Sequence, residues 1–469
     1  MVTYIKINGF KSFQDFEMEF APLTVIAGAN ASGKSNLFDA LQLLSRLATT
    51  DLKTAFREQR GNPNELFTQY ADDWYAKEMT FVIEMLVNKE VKDNWGGETT
   101  LKYTRLRYKL IIERITNERN LEDLVVVEER LENLKHADDN WVRKHIKSNL
   151  EVWRPKVLQG RRGVPYIETD ITESGVPRII VPQDGTPGGN KKTFPARFAI
   201  QTVLSSINSV EFPHAFAVKE EMRSWKFLQL NPEDLREPTK QDVGMQDSIT
   251  QSGKNLAAAL FRIQQEDSYN LVEISRKLNS LLPNLTEVKV FDDQANKQFI
   301  IKIKGDDGRE FSSRVLSEGT LRLLTLCIFQ YDKQHNSLIC FEEPENGIHP
   351  FRIKPMVKLL KDISVDFSED EMPLRQIIVN THSPTVVGNM LQWREDNNVS
   401  VWYSELNTLI ADIEERRVKM KITKMVPVSK GQTGQFPVFV TEEQSKITLA
   451  KVKEYLETAD TEKAIEDIQ

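Results

Sequence analysis

Two cysteines in 469 residues, Cys327 and Cys340, leave no room for a disulfide framework. Both sit in apolar runs, as buried free thiols in a reducing compartment would. Six histidines and these two cysteines show no spacing that would ligate a metal. No apolar run approaches the ~20 residues of a membrane span, and the opening MVTYIKINGFKSF lacks the design of a signal peptide. No tandem repeat is visible, and the lack of sustained heptads excludes a long coiled coil. A net charge of −7 argues against a surface that binds nucleic acid everywhere, while leaving room for a local basic patch. These absences predict a soluble, cytoplasmic chain without a membrane partner. Its length suits two or three domains, or one domain with a large insertion.

What is present is concentrated between Leu316 and Pro350. Leu316-Ser317-Glu318-Gly319 opens a helical pattern, and Leu338-Ile339-Cys340-Phe341 reads as a buried strand. That strand ends in Glu342 and Glu343, followed by the turn residues Pro344-Glu345-Asn346-Gly347. Adjacent carboxylates at the end of a core strand need a compensating cation or a water to activate. A phosphate cradle elsewhere in the chain would supply the setting.

The cradle lies near the start. Leu23 to Ala27 reads as a central strand, followed by Gly28-Ala29-Asn30-Ala31-Ser32-Gly33-Lys34-Ser35 and a helical pattern. This is G-x-x-x-x-G-K-S in the strand–loop–helix context that makes it credible. Its glycines let backbone N–H groups close on phosphates, and the helix start adds partial positive charge. Lys34 would reach the β/γ-phosphates and the Ser35 hydroxyl would ligate Mg²⁺. Residues 79–86 and 103–115 read as strands of an antiparallel lobe. Residues 124–127 add a short strand, and short helices are expected over 130–153, 195–208 and 214–224. Helices beginning at Gly253 and Leu271 and strands over 287–291 and 299–303 come next. Gln376 to Asn380 is another central strand, ending in Thr381-His382-Ser383-Pro384, and 399–403 adds one more. The tail carries a basic run from Arg416 to Lys424, a Gly/Pro loop and an amphipathic helix with Ile447, Leu449, Val452 and Leu456.

Phosphate loop, Ser317-x-Gly319, Glu342-Glu343 and His382 follow one another in the order found in ABC-type ATPase heads. The chain resembles the SMC/RecF/OLD-like branch of these proteins, through Gly9-Phe10-Lys11-Ser12-Phe13, Gly28 to Ala40 and Glu342 to Pro350. ABC transporters usually have Asp-Glu where this chain has Glu342-Glu343. The resemblance implies an α/β fold: an ABC-type P-loop ATPase head with an antiparallel β lobe and a mainly helical insertion. Residues 1–113 and 225–405 would be the two halves of the head, 114–224 the insertion and 406–469 an extension. It implies ATP and Mg²⁺ as ligands, bound by Gly28, Asn30, Gly33, Lys34, Ser35 and Asn36. Glu342 would order the metal, Glu343 polarise the attacking water and His382 sense the γ-phosphate. Ser317 and Gly319 would act on the ATP of a second subunit. With no second phosphate loop in the chain, this implies a head-to-tail homodimer, with room for a larger assembly. Gln201 is the candidate for the glutamine of the so-called Q-loop, with Gln69 as the alternative.

The function implied is an ATP-driven switch controlling a separate effector, a nuclease or toxin, in bacterial anti-phage defence. A RecF-like clamp on duplex DNA is the second reading. A basic group in the insertion (Arg143, Lys144, Lys147, Arg154, Lys156, Arg161, Arg162, Lys191, Lys192 and Arg197) is either a solvated surface or a contact to nucleic acid or an acidic partner.

Overall fold

The computed structural model describes residues 1–155, 164–171, 177–183, 190–196, 199–369, 372–393, 395–428 and 451–456. The chain opens with β1 (Val2–Asn8), β2 (Phe16–Glu19), β3 (Leu23–Ala27), α1 (Lys34–Leu47) and α2 (Leu52–Arg57). A β-rich stretch follows: β4 (Gln69–Ala71), β5 (Trp74–Tyr75), β6 (Glu78–Leu86), β7 (Glu90–Lys92), β8 (Glu98–Thr100), β9 (Arg105–Thr116) and β10 (Glu122–Asn133). Next are α3 (Asn140–His145), α4 (Leu150–Trp153), β11 (Glu168–Ile171), β12 (Pro177–Pro182), β13 (Lys191–Pro195), α5 (Val203–Ser206) and α6 (Pro213–Arg223). The chain continues through β14 (Lys226–Leu228), α7 (Pro232–Arg236), β15 (Thr239–Lys240), α8 (Leu256–Glu266), α9 (Ser268–Leu281), β16 (Leu285–Asp293), β17 (Gln298–Gly305) and β18 (Glu310–Ser312). Then come α10 (Glu318–Tyr331), β19 (Leu338–Glu342), α11 (Pro350–Ile363), β20 (Gln376–Thr381), α12 (Pro384–Met390), β21 (Val399–Ile413) and β22 (Arg416–Pro427).

The centre is a six-stranded sheet in the order β14-β19-β20-β3-β21-β22. Its first five strands are parallel, and β22 returns antiparallel to β21. Strands β3 and β20 are buried along their whole length, as parallel strands covered on both faces are. Side chains alternate between two cores. Cys340 and Ile378 face α1 and an antiparallel sheet ordered β10-β9-β6-β1-β2, while Phe341 and Val379 face α8, α10, α11 and α12. Each fully buried Leu, Ile or Phe contributes roughly 1.5–3 kcal/mol, so the two cores fix the strand register. That register brings the C-terminal ends of β3, β20 and β19 side by side, the edge where open parallel sheets place ligands.

The segment expected to be mainly helical contains substantial strand. β10 runs on through Arg130 to Asn133, where a helix was expected, because pairing with β9 outweighs local propensity. β11, β12 and β13 form a three-stranded sheet, and α3, α4 and α5 are each six residues or fewer. The helix expected over 195–208 shortens to α5, since Pro195 closes β13. The helix expected at Gly253 begins at Leu256. The boundary expected after residue 405 falls inside β21, and the basic run 416–424 is β22. Of the tail helix, Val452 and Leu456 are described and helical; Ile447 and Leu449 lie outside the described residues.

Candidate active site

The loop between β3 and α1 is shaped by residues with left-handed backbone. Gly28, Ala31 and Gly33 have φ of 146, 61 and 91°. A Cβ on Gly33 would stand 1.8 Å from Thr423 Oγ1, so this position also needs glycine for space. Helix α1 starts with no side-chain cap and no acid in its first turn, leaving its N–H groups and positive end for an anion. Lys34 Nζ donates to Gly28 O at 2.7 Å and Ala29 O at 2.8 Å, so the ammonium spans the mouth of the loop. Burial lowers its pKa, and the Glu343 carboxylate opposes that. The loop is braced by hydroxyls from distant segments. Ser404 Oγ donates to Ser32 O at 2.9 Å, Thr423 Oγ1 to the same oxygen at 3.3 Å, and Asn36 Nδ2 to Ser12 Oγ at 2.7 Å. Ser12 and Thr423 join each other at 2.6 Å. Among the loop residues expected to hold phosphate, Asn30 is exposed at its rim.

The two carboxylates after Phe341 have different surroundings. Glu342 lines a cavity of ≈ 250 Å³ with Asp39, Arg60, Gln229 and Gln251. Burial pushes its carboxyl up; Arg60 opposes, Asp39 and Glu343 reinforce, and a hydrogen bond from Ser35 opposes. Arg60 lies 2.9 Å from Asp39 and 3.9 Å from Glu342, and Lys11 reaches Asp39 at 2.7 Å. Glu343 turns the chain in left-handed backbone, φ 47°, a strain of roughly 1–3 kcal/mol for a residue with a Cβ. Its N–H donates to Asn380 O at 2.8 Å, tying the ends of β19 and β20 together. Its carboxylate meets His382 Nδ1 at 2.8 Å and accepts from Asn346 Nδ2 at 2.7 Å. Glu345 is buried against the Thr381 hydroxyl, and burial raises its pKa.

Several buried oxygens here have no hydrogen-bond partner among the described residues: Ser32 Oγ, Glu345 Oε2 and Asn380 Oδ1. Orphaned acceptors beside a lysine-spanned loop and a half-buried Glu342 fit a hydrated cation held with phosphates. Ser35 and Glu342 are the residues that would hold Mg²⁺.

Ser317 caps α10, its hydroxyl accepting from Thr320 N at 3.2 Å while the residue stays exposed. A Cβ on Gly319 would lie 2.4 Å from Gly347 O, and one on Gly347, φ 70°, would lie 2.8 Å from the Glu318 side chain. The start of α10 is thus seated on the Glu345–Ile348 turn of its own chain. Gln201 precedes α5, whose cap Thr202 donates to Leu47 O at the far end of α1, ~20 Å along the helix from Lys34. Gln69 lines a separate cleft with Lys11, Ser12 and Lys419. Glutamines that line the cavity with Glu342 are Gln42, Gln251 and Gln229, the last one residue past β14, whose Leu228 pairs with Phe341. For Gln229, its position at a strand end before Asn231-Pro232 was the available signal. In the basic group, Lys144, Arg154 and Lys192 are engaged by Glu19, Asp139 and Glu211. Lys156, Arg161, Arg162 and Arg197 lie outside the described residues.

Two family models match the chain. "AAA ATPase domain" covers residues 1–152, and "AAA domain, putative AbiEii toxin, Type IV TA system" covers 182–388. The DNA replication and repair protein RecF of Synechococcus sp. (strain JA-2-3B'a(2-13)) is 38% identical over 61 residues, which are 12% of this chain and 16% of that protein. Among solved structures, an SMC head bound to the C-terminal winged-helix domain of ScpA aligns over 91% of this chain and 98% of that one, with 13% identity and a TM-score of 0.48. The SMC head domain from Thermotoga maritima aligns over 91% and 99%, with 11% identity and a TM-score of 0.38. An SMC head with an extended coiled coil, bound to the C-terminal domain of ScpA from Pyrococcus furiosus, aligns over 96% and 99%, with 12% identity and a TM-score of 0.41.

Proposed function

We infer the role of this chain from a premise: it is an ABC-type ATPase of the SMC/RecF/OLD-like branch, and it hydrolyses ATP. In this reading residues 1–113 and the stretch from 225 through β22 supply the two halves of the head. Lys34 and the start of α1 take the β- and γ-phosphates. Mg²⁺ held at Ser35 and Glu342 would supply charge neutralisation on the phosphate oxygens. Glu343, oriented by His382 and Asn346, accepts the proton of the attacking water, and His382 lies beside it to contact the γ-phosphate.

Two copies pack head to tail, so that Ser317 and Gly319 of each close over the phosphates held by the other. The observation that carries this is the seating of α10 on its own Glu345–Ile348 turn with the Ser317 cap exposed. ATP closes the pair and hydrolysis opens it. The pair controls a separately encoded nuclease or toxin in anti-phage defence, in the cytoplasm; the AbiEii-type family description over 182–388 supports a link to an effector. No helix among the described residues is long and apolar enough to cross a membrane.

Light scattering with a non-hydrolysable ATP analogue tests the dimer. The parent should double in mass, and Ser317→Arg should stay a monomer while still binding nucleotide. A parent that remains monomeric with nucleotide bound overturns the reading. The short RecF similarity favours a second reading, a clamp on duplex DNA, which salt-sensitive duplex binding would test.

A further inference from the structure

Asn380 is one of three buried polar residues in β20, with Gln376 and Thr381. β20 is buried from end to end, Ile377 to Val379 are apolar, and Asn380 is only 4% exposed. A buried amide is retained where its hydrogen bonds have a use. Register places it opposite Glu342 of β19 on one side and Ile26 of β3 on the other. Parallel neighbours in register share a face of the sheet, so the amide lies between the first carboxylate and the strand that feeds the phosphate loop.

Its contacts reach three parts of the site. Nδ2 donates to Ser35 Oγ at 3.3 Å. The main-chain oxygen accepts from Glu343 N at 2.8 Å. Oδ1 is buried with no partner among the described residues. A serine hydroxyl has one proton and two lone pairs. With Nδ2 on one lone pair and the proton turned to Glu342, the second lone pair is left for a cation. Oδ1 then remains as an acceptor for a water on that cation.

We propose that Asn380 is a positioning residue for the metal: it fixes the Ser35 hydroxyl in the rotamer that presents a lone pair to Mg²⁺, and receives a hydrogen bond from a metal-bound water. The proposal rests on the reading of Ser35 as a metal ligand. It makes Mg²⁺ affinity depend on a residue that touches neither nucleotide nor metal directly. Loss of such an outer partner costs about 10–100-fold in metal affinity.

The test is a titration of a fluorescent ATP analogue into the full chain, in EDTA and at rising Mg²⁺, for the parent, Asn380→Leu and Ser35→Ala. Asn380→Leu should bind nucleotide in EDTA like the parent, yet need about tenfold more Mg²⁺ for the metal-dependent gain. Adding Ser35→Ala should then cost little more. An Asn380→Leu chain with parental Mg²⁺ dependence overturns the proposal, as does one weakened equally in EDTA, which would mark a structural role. If Ser35→Ala itself leaves the Mg²⁺ dependence intact, the metal reading of Ser35 falls and takes the proposal with it. Should the leucine variant fail to fold, Asn380→Thr, too short to reach Ser35, carries the same expectations.

Discussion

Exchanging Glu343 for Gln removes a proton acceptor while leaving its neighbours satisfied. The carboxylate is held between His382 Nδ1 at 2.8 Å and Asn346 Nδ2 at 2.7 Å. A glutamine of the same length can turn its oxygen to Asn346 and its N–H to the imidazole. The two side chains are 38% and 45% exposed, so the lost contact costs at most about 1 kcal/mol. The left-handed backbone at this position penalises both residues alike. Stability should therefore scarcely change. The chemical step is another matter, because a positioned general base contributes ~10²–10⁴-fold, or about 2.7–5.4 kcal/mol of barrier. The expected outcome is a fall in phosphate release of that size, an unchanged melting temperature, and accumulation of an ATP-bound dimer in light scattering. Turnover within a few-fold of the parent would refute Glu343 as the base. A large loss of melting temperature would instead make its role structural.

The other predictions concern the interface and the fold. Phe351 is 85% exposed at the start of α11, stacked on His349 beside the turn that seats α10. Phe351→Ser should weaken ATP-dependent self-association about tenfold or more, by the ~1.5–3 kcal/mol that burying such a side chain supplies, without changing nucleotide affinity; equal association of both chains in sedimentation would place the interface elsewhere. Glu129 is buried, accepting from Val203 N at 2.6 Å, Leu204 N at 2.8 Å and Tyr108 OH at 3.0 Å. Burial pushes its carboxyl up to about 7. A carboxyl raised above its unfolded value of about 4.3 contributes stability that is complete below that value and lost as pH climbs through 7. Glu129→Gln should flatten the pH dependence of the melting temperature across that window, and a parental slope in the variant would remove Glu129 as its source.

The phosphate loop was legible because strand, glycines and helix are contiguous. Glu343 and His382 were legible as a pair because each follows the end of an apolar run, and parallel pairing of β19 with β20 brings those ends together. The braces of the loop were not legible. Ser404 and Thr423 belong to no motif, and the Gly9–Phe13 stretch gave no sign that its Ser12 would meet Thr423 from the far end of the chain. β22 was obscured by composition: Lys419 and Lys421 are exposed, while Val418, Met420 and Ile422, alternating with them, are buried. That alternation is a strand signal, but a basic run suggests a solvated tail. Gln201 precedes α5 at the far end of α1, whereas Gln229, carried by a short edge strand, lines the cavity with Glu342 alongside Gln42 and Gln251.

Strand β3 lies between β20 and β21, both encoded much later in the chain. Roughly 350 residues separate Ala27 from Gln376. At about 5–20 residues per second, synthesis of that interval takes roughly 20–70 s. Throughout it, the strand feeding the phosphate loop has neither of its flanking partners, and its four apolar residues must be sheltered by the antiparallel sheet or by chaperones. The loop's bracing by Ser404 and Thr423 comes later still. Nucleotide binding should therefore be among the last properties the nascent chain acquires. A ribosome-stalled chain ending before β20 would have the complete phosphate-loop sequence and yet fail to retain ATP.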